Sequence, residues 1–147
     1  MTIIPGILEN TILISAVTAW LIAQVLKVII NFTIHRTFDI GFLISSGGFP
    51  SSHSATVSAL ALGVGKYYGW DSPIFAVAAI FGMVVMYDAA GVRRAAGKQA
   101  EVINQLVEGL YHQMSNLSQE RLKELIGHTP FEVVAGAIVG IIVGLLV

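Results

Sequence analysis

Residues Ile7 to Ile34 read ILENTILISAVTAWLIAQVLKVIINFTI, and the interpretation of this run decides the fold. A helix needs roughly 20 predominantly apolar residues to cross a bilayer, and this stretch exceeds that length. The rest of the chain agrees: of 147 residues, 55% are hydrophobic and 12% charged, and the mean hydropathy of +0.79 is too high for an ordinary soluble domain of this size. A net charge of −1 with no exposed cluster of cations gives no reason to expect nucleic acid as a partner. The absence of cysteine excludes disulfides and thiolate metal sites. No Lys or Arg precedes Lys27, so the basic region of a cleaved secretory signal is missing and the first apolar run is expected to be retained.

Within this run Trp20, Gln24, Lys27, Asn31 and His35 recur at helical spacing and stack on one face. A charge turned to lipid costs on the order of 3 kcal/mol or more, so a lysine at this depth points to a buried partner; the competing reading is that Lys27 snorkels to the nearer interface. Downstream lies a polar island, Ser45-Ser46-Gly47-Gly48-Phe49-Pro50-Ser51-Ser52-His53-Ser54. It opens a second apolar span from about His53 to Tyr68, capped by Ser51 or Ser52, with Ala55, Ala59 and Gly63 as a small-residue ladder. Lys66, Tyr67, Tyr68 and Trp70 form an interfacial belt at its far end.

A third span covers about Ser72 to Val92, with Pro73 suited to a first helical turn, and runs into Asp88 and the pair Arg93-Arg94. From Ala95 to about Gln113 the pattern becomes amphipathic, with Ile103, Leu106, Val107 and Leu110 on one face and Lys98, Glu101, Gln105 and Glu108 elsewhere. A short helix follows, capped by Ser118, stapled by Leu117 and Leu122 and stopped at Gly127. The last span runs from Pro130 to the C-terminus and carries Gly136, Gly140 and Gly144 as a continuous groove for another helix, for which a homodimer contact is one use. No linker interrupts the pattern. The expectation is one domain over 1–147, an all-α integral membrane protein of about four transmembrane helices plus one or two interfacial helices.

With four spans, the island, the Asp88–Arg94 segment and the His128 segment share one membrane side, opposite both termini. Arg36, Arg93, Arg94, Lys98, Arg121 and Lys123 lie on that side against Lys66 on the other, which puts the island on the cytoplasmic face of a plasma or inner membrane.

Gly47-Gly48 allows close backbone approach, and Ser51-Ser52 at a helix start offers hydroxyls and free N–H groups where an anion is favoured. His53 adds a proton donor or acceptor near neutral pH. Alone, this describes a capped loop as well as a phosphate cradle. The addition of His128-Thr129-Pro130-Phe131-Glu132, Lys27 and the arginines on the same side is what phosphoryl transfer through a phosphohistidine requires: cations on the phosphoryl oxygens, one imidazole attacking, the other protonating the leaving oxygen. Thr129-x-x-Glu132 is also a capping box, so Glu132 either closes a helix start or fixes the tautomer of His128. Asp88 either pairs with an arginine structurally or holds its guanidinium for phosphate, as an orienting acid. His35 and His112 read as interfacial histidines.

The phrases Gly47–Ala55, Tyr87–Arg94 and Gly127–Val133 resemble the small divergent bacterial and plant branch of the type 2 phosphatidic acid phosphatase and vanadium haloperoxidase superfamily. The resemblance spans nearly the whole chain. It implies His128 as nucleophile, His53 as general acid, Glu132 as orienting acid, and Lys27, Ser51, Ser52 and Arg93 or Arg94 as phosphate ligands, with no metal and no cofactor. The chain departs from the wider pattern in four places. Ile34-His35 stands where an Arg-Pro pair belongs, Ser52 replaces glycine, Glu132 replaces aspartate, and 33 residues separate Arg94 from His128 where the superfamily has only a few.

The expected activity is hydrolysis of a phosphomonoester or diphosphate on a lipid such as phosphatidic acid, phosphatidylglycerophosphate or an isoprenyl phosphate, resembling an acid phosphatase. The alternative is a non-catalytic membrane protein that binds or moves an anionic phospholipid. A metal hydrolase is disfavoured because no His-Glu-x-x-His or thiolate cluster occurs.

Overall fold

A computed structural model describes residues 3–36, 47–111 and 127–147. Six helices follow one another: α1 (Ile3–Leu8), α2 (Thr11–His35), α3 (Ser52–Tyr68), α4 (Pro73–Ala90), α5 (Val92–Tyr111) and α6 (Pro130–Leu146), with no strand among the described residues. Ser45, Ser46, His112, the short helix around Leu117, Ser118 and Leu122, and the cations Arg121 and Lys123 lie outside the described residues, as does the side chain of His35.

Each bundle helix starts where its sequence supplies a cap. Asn10, Ser51, Ser72 and Thr129 accept from Leu13 N, Ser54 N, Phe75 N and Glu132 N, with Pro73 and Pro130 in the first turns that follow. The Asn10 cap corrects the expected start of the first span: the apolar run does not continue back through Ile7, because Glu9-Asn10 breaks it and leaves α1 as a separate short helix. At the other end of α2, Arg36 takes a left-handed conformation (φ 55°) and donates its N–H to Phe32 O, closing the helix.

Helix α3 is the central element, packed against α2, α4 and α6. Its seam with α6 is as close as backbones allow. A Cβ on Gly136 would run into Ser51 O, one on Gly140 into Ala55 O, and one on Gly144 would stand 2.8 Å from the Leu62 side chain. The glycine ladder therefore serves the α3 seam within this chain, and a homodimer would have to use another face. On the α2 side the contact is made by alanines, with Ala19, Ala23, Ala55 and Ala59 fully buried together with Val143. Such a tight seam has no room for an indole, so Trp20 is turned outward at 41% exposure and drops out of the expected polar stripe, whereas Gln24 and Lys27 are buried.

The exposed residues of α2, α4 and α6 are overwhelmingly Ile, Val, Leu, Phe and Met, the inverse of a soluble surface. Thr11–Ile34 and the apolar part of the segment beginning at Pro73 are long and apolar enough to cross a membrane, and α6 is a shorter apolar helix. Helix α3, at 17 residues near the lower limit for spanning, carries its serines inward and is sheltered by the others. Helix α5 follows a break at Gly91 and, among the described elements, packs only on α4. Val102, Ile103 and Leu106 lie exposed on it beside Glu101, Gln105 and Glu108, the pattern of an interfacial helix.

Candidate functional site

The polar residues of the bundle collect at one end, around the start of α3. Lys27, only 2% exposed on α2, donates from Nζ to Ser52 Oγ at 3.4 Å. The buried partner expected for this lysine is thus on α3, and snorkelling is not its arrangement. The loop before α3 reaches this point through Gly48, whose φ of 92° a side chain would strain, and a cis Phe49–Pro50 peptide. Ser51, fully buried, caps α3: its Oγ accepts from Ser54 N at 3.3 Å and from Ser54 Oγ at 3.0 Å. Ser54 was not singled out from sequence; its spacing from Ser51 is that of an ordinary capped turn, and only its complete burial sets it apart.

The His128 segment is brought to the same place by three anchors. His128 N donates to Ala89 O at 3.0 Å, and Ser51 N donates to Glu132 O at 3.1 Å. Gly127 lies against the backbone of Arg93 and Arg94 so closely that any Cβ there would overlap it. Gly127 thus has a packing role that its sequence context did not announce. The 33 residues between Arg94 and His128 leave and return, and the glycine lets the returning strand of chain press on the first turn of α5.

His128 is 2% exposed. Its Nδ1 lies 3.0 Å from Glu132 Oε2, and its Nε2 is buried with no hydrogen-bond partner. The same carboxylate oxygen accepts Thr129 N at 3.0 Å while Thr129 Oγ1 accepts Glu132 N at 3.3 Å, so the capping box is complete. The two readings of Glu132 are therefore simultaneous. One residue closes the start of α6 and holds the imidazole. A carboxylate at Nδ1 fixes the proton there and leaves the Nε2 lone pair outward, the geometry an attacking imidazole needs.

His53 stands across from this ring, with centroids 6.1 Å apart and planes at 63°. Arg93, Asp88, Lys27 and His128 all lie close enough to act on His53 electrostatically, and Glu132 acts likewise on Lys27. Arg93 Nε donates to Asp88 Oδ2 at 2.8 Å, the ion pair expected for Asp88, with both side chains partly in solvent. Arg94 contributes backbone to the Gly127 contact. Among the described residues, no three His, Asp or Glu side chains gather as a metal cage. The structure thus brings together Lys27, Ser51, Ser52, His53, His128 and Glu132, with Arg93 and Asp88 at the rim.

Comparisons with known proteins bear on this arrangement. The chain is 45% identical over 150 residues to the uncharacterized membrane protein YuiD of Bacillus subtilis (strain 168), with 95% of each chain covered. No solved structure matches it. The family described as "Divergent PAP2 family" matches residues 8–143, a range that takes in Lys27, the Ser51–His53 turn, the arginine pair and the His128–Glu132 segment. This all-α integral membrane protein belongs to the Divergent PAP2 family.

Proposed function

We propose that the chain is a membrane lipid-phosphate phosphatase that works through a phosphohistidine on His128. The observation that carries this reading is the state of His128: Nδ1 tied to Glu132 at 3.0 Å, and Nε2 buried and unpartnered, on a ring whose centroid lies 6.1 Å from that of His53. A buried ring nitrogen without a partner costs about 1–3 kcal/mol, a cost that a phosphorus electrophile or a phosphate oxygen would relieve.

In the proposed reaction Nε2 attacks phosphorus and the P–O bond to the lipid breaks. His53 gives its proton to the departing oxygen. His53 then takes a proton from a water molecule, which displaces the phosphoryl group from Nε2 and releases inorganic phosphate. Lys27, the hydroxyls of Ser51 and Ser52, and the free N–H groups of the first turn of α3 face the charge that develops on the phosphoryl oxygens. Arg93 is assigned the arginine role in preference to Arg94, because it acts on His53 and is held by Asp88, whereas Arg94 backbone seats Gly127. The route is metal-independent and uses no cofactor. Arg36, Arg93, Arg94 and Lys98 at this end against Lys66 at the other support a cytoplasmic site in a plasma or inner membrane.

The test is turnover of a panel of lipid phosphomonoesters and diphosphates by the purified protein with chelator present, repeated with His128→Ala and His53→Ala. Phosphate release should survive chelator, be inhibited by vanadate as a mimic of the five-coordinate transition state, and vanish in His128→Ala. Activity that persists in both variants would overturn the reading. Phosphate lipids that co-purify without any turnover would favour the binding protein instead.

A further inference from the structure

Two phenylalanines flank the site and have no part in the chemistry. Phe49 precedes Pro50-Ser51, and Phe131 lies between Pro130 and Glu132. Their rings stack at 5.4 Å with an interplanar angle of 15°. The pair bridges the two segments that carry the reacting groups, next to the Ser51 N to Glu132 O hydrogen bond at 3.1 Å. Phe131 is nonetheless 73% exposed, among the most exposed large apolar side chains described.

An interfacial anchor would have a different composition. Trp and Tyr serve at membrane interfaces because they pair an apolar body with a polar handle. This protein uses such residues at both ends of the bundle: Tyr67, Tyr68 and Trp70 away from the site, and Tyr87 on the site side, at 59%, 61%, 58% and 77% exposure. The stacked phenylalanines have no polar atom. Their side chains offer only apolar, aromatic surface, and they adjoin the segments that carry Ser51, His128 and Glu132.

We propose that Phe49 and Phe131 form a substrate-selecting wall, which holds the glycerol and first acyl carbons of a membrane-resident lipid phosphate and so favours lipid over soluble phosphate esters. This inference rests on the phosphatase reading above and names the part of the substrate that the catalytic groups do not touch. The pair contributes binding to a hydrocarbon segment, so its removal acts on long-chain substrates alone.

The experiment compares dioleoyl phosphatidic acid in mixed micelles with p-nitrophenyl phosphate, for the unaltered protein, Phe131→Ala, Phe131→Leu and the Phe49→Ala/Phe131→Ala pair. The expected result is a loss of tenfold or more in kcat/KM on the lipid for the double variant, with the aryl phosphate changed less than twofold and Phe131→Leu intermediate. Equal losses on both substrates would reduce the pair to a structural brace and overturn the inference, and so would no loss on either. If the unaltered protein turns over neither substrate, the phosphatase reading fails by itself. The wall is then tested by native mass spectrometry with dioleoyl phosphatidic acid, where at least a fivefold drop in adduct for the double variant sustains it and unchanged adduct overturns it.

Discussion

The two ends of the bundle are built from the same helices and differ in what they bury. At the end where α2 begins and α3 and α6 finish, a cavity of about 560 Å³ opens between Glu9, Asn10, Leu60, Tyr67, Tyr68 and Ile74. It is roomy, yet its polar groups are helix caps and interfacial aromatics. At the other end a lysine, three serines and a histidine, Lys27, Ser51, Ser52, Ser54 and His128, are almost wholly buried around the starts of α3 and α6. Burying such groups is costly unless each is partnered, and one of them, His128 Nε2, is not. The clustering of buried polar groups, rather than open volume, therefore marks the end on which the proposed chemistry rests. In a membrane protein this criterion is sharper still, because the bilayer offers no water to satisfy what the fold leaves open.

Each end of the bundle holds a lysine whose replacement separates the two, Lys27 and Lys66. Lys27→Met removes the buried cation from the site and should lower kcat/KM on a lipid phosphate by about 10²–10³-fold. Thermal stability should hold or rise, since replacing a buried charge by an apolar residue of similar volume is often neutral or favourable. Unchanged kinetics would remove Lys27 from the phosphate site.

A second test separates the two duties of Glu132. Glutamine can still complete the capping box, so Glu132→Gln should shift the melting temperature by no more than about 2 °C while kcat falls by about 10²-fold or more, because a neutral amide does not hold the Nδ1 proton as a carboxylate does. Parallel losses of stability and activity would leave the residue a cap only.

The third test concerns how the polar end is assembled. Gly127→Ala puts a Cβ into the backbone of Arg93 and Arg94, whereas a Cβ on Gly6 at the other end meets nothing within 4 Å. Gly127→Ala should cost about tenfold in kcat/KM by displacing His128 from His53, with Gly6→Ala indistinguishable from the unaltered protein. The smallest effect belongs to Lys66, whose Nζ donates to Gly144 O at 3.1 Å at the end away from the site. Lys66→Met should lower stability by about 1 kcal/mol or less and leave turnover within twofold.

Much of this was legible in the sequence where the signal is local. Ser51, Ser72, Pro73 and the Thr129-x-x-Glu132 box each announce a helix start within four residues, and the structure has every one of them. Asn10 carried the same kind of signal against an apolar background, so the break before α2 could have been read from it. Partners were less legible than faces. The spacing of Gly136, Gly140 and Gly144 shows a groove but not its occupant, which is α3 of the same chain. Trp20 shares helical phase with Gln24 and Lys27, but size excludes it from an alanine seam. The contact of Gly127 with Arg93 and Arg94 joins residues 33 or more positions apart, and no local pattern encodes it. The double duty of Glu132 was out of reach for another reason: a capping box and a histidine orienter need the same carboxylate at the same place, so sequence offers them as rivals when geometry allows both.

The proposed mechanism stands on transfer of the phosphoryl group to His128 Nε2. Rapid acid-free quenching of the protein during turnover of a ³²P-labelled lipid phosphate, followed by peptide mapping, tests it most directly. Acid-labile, base-stable label is expected on His128 of the unaltered protein, and none in His128→Ala. Turnover without label on His128, or label on another residue, would contradict it.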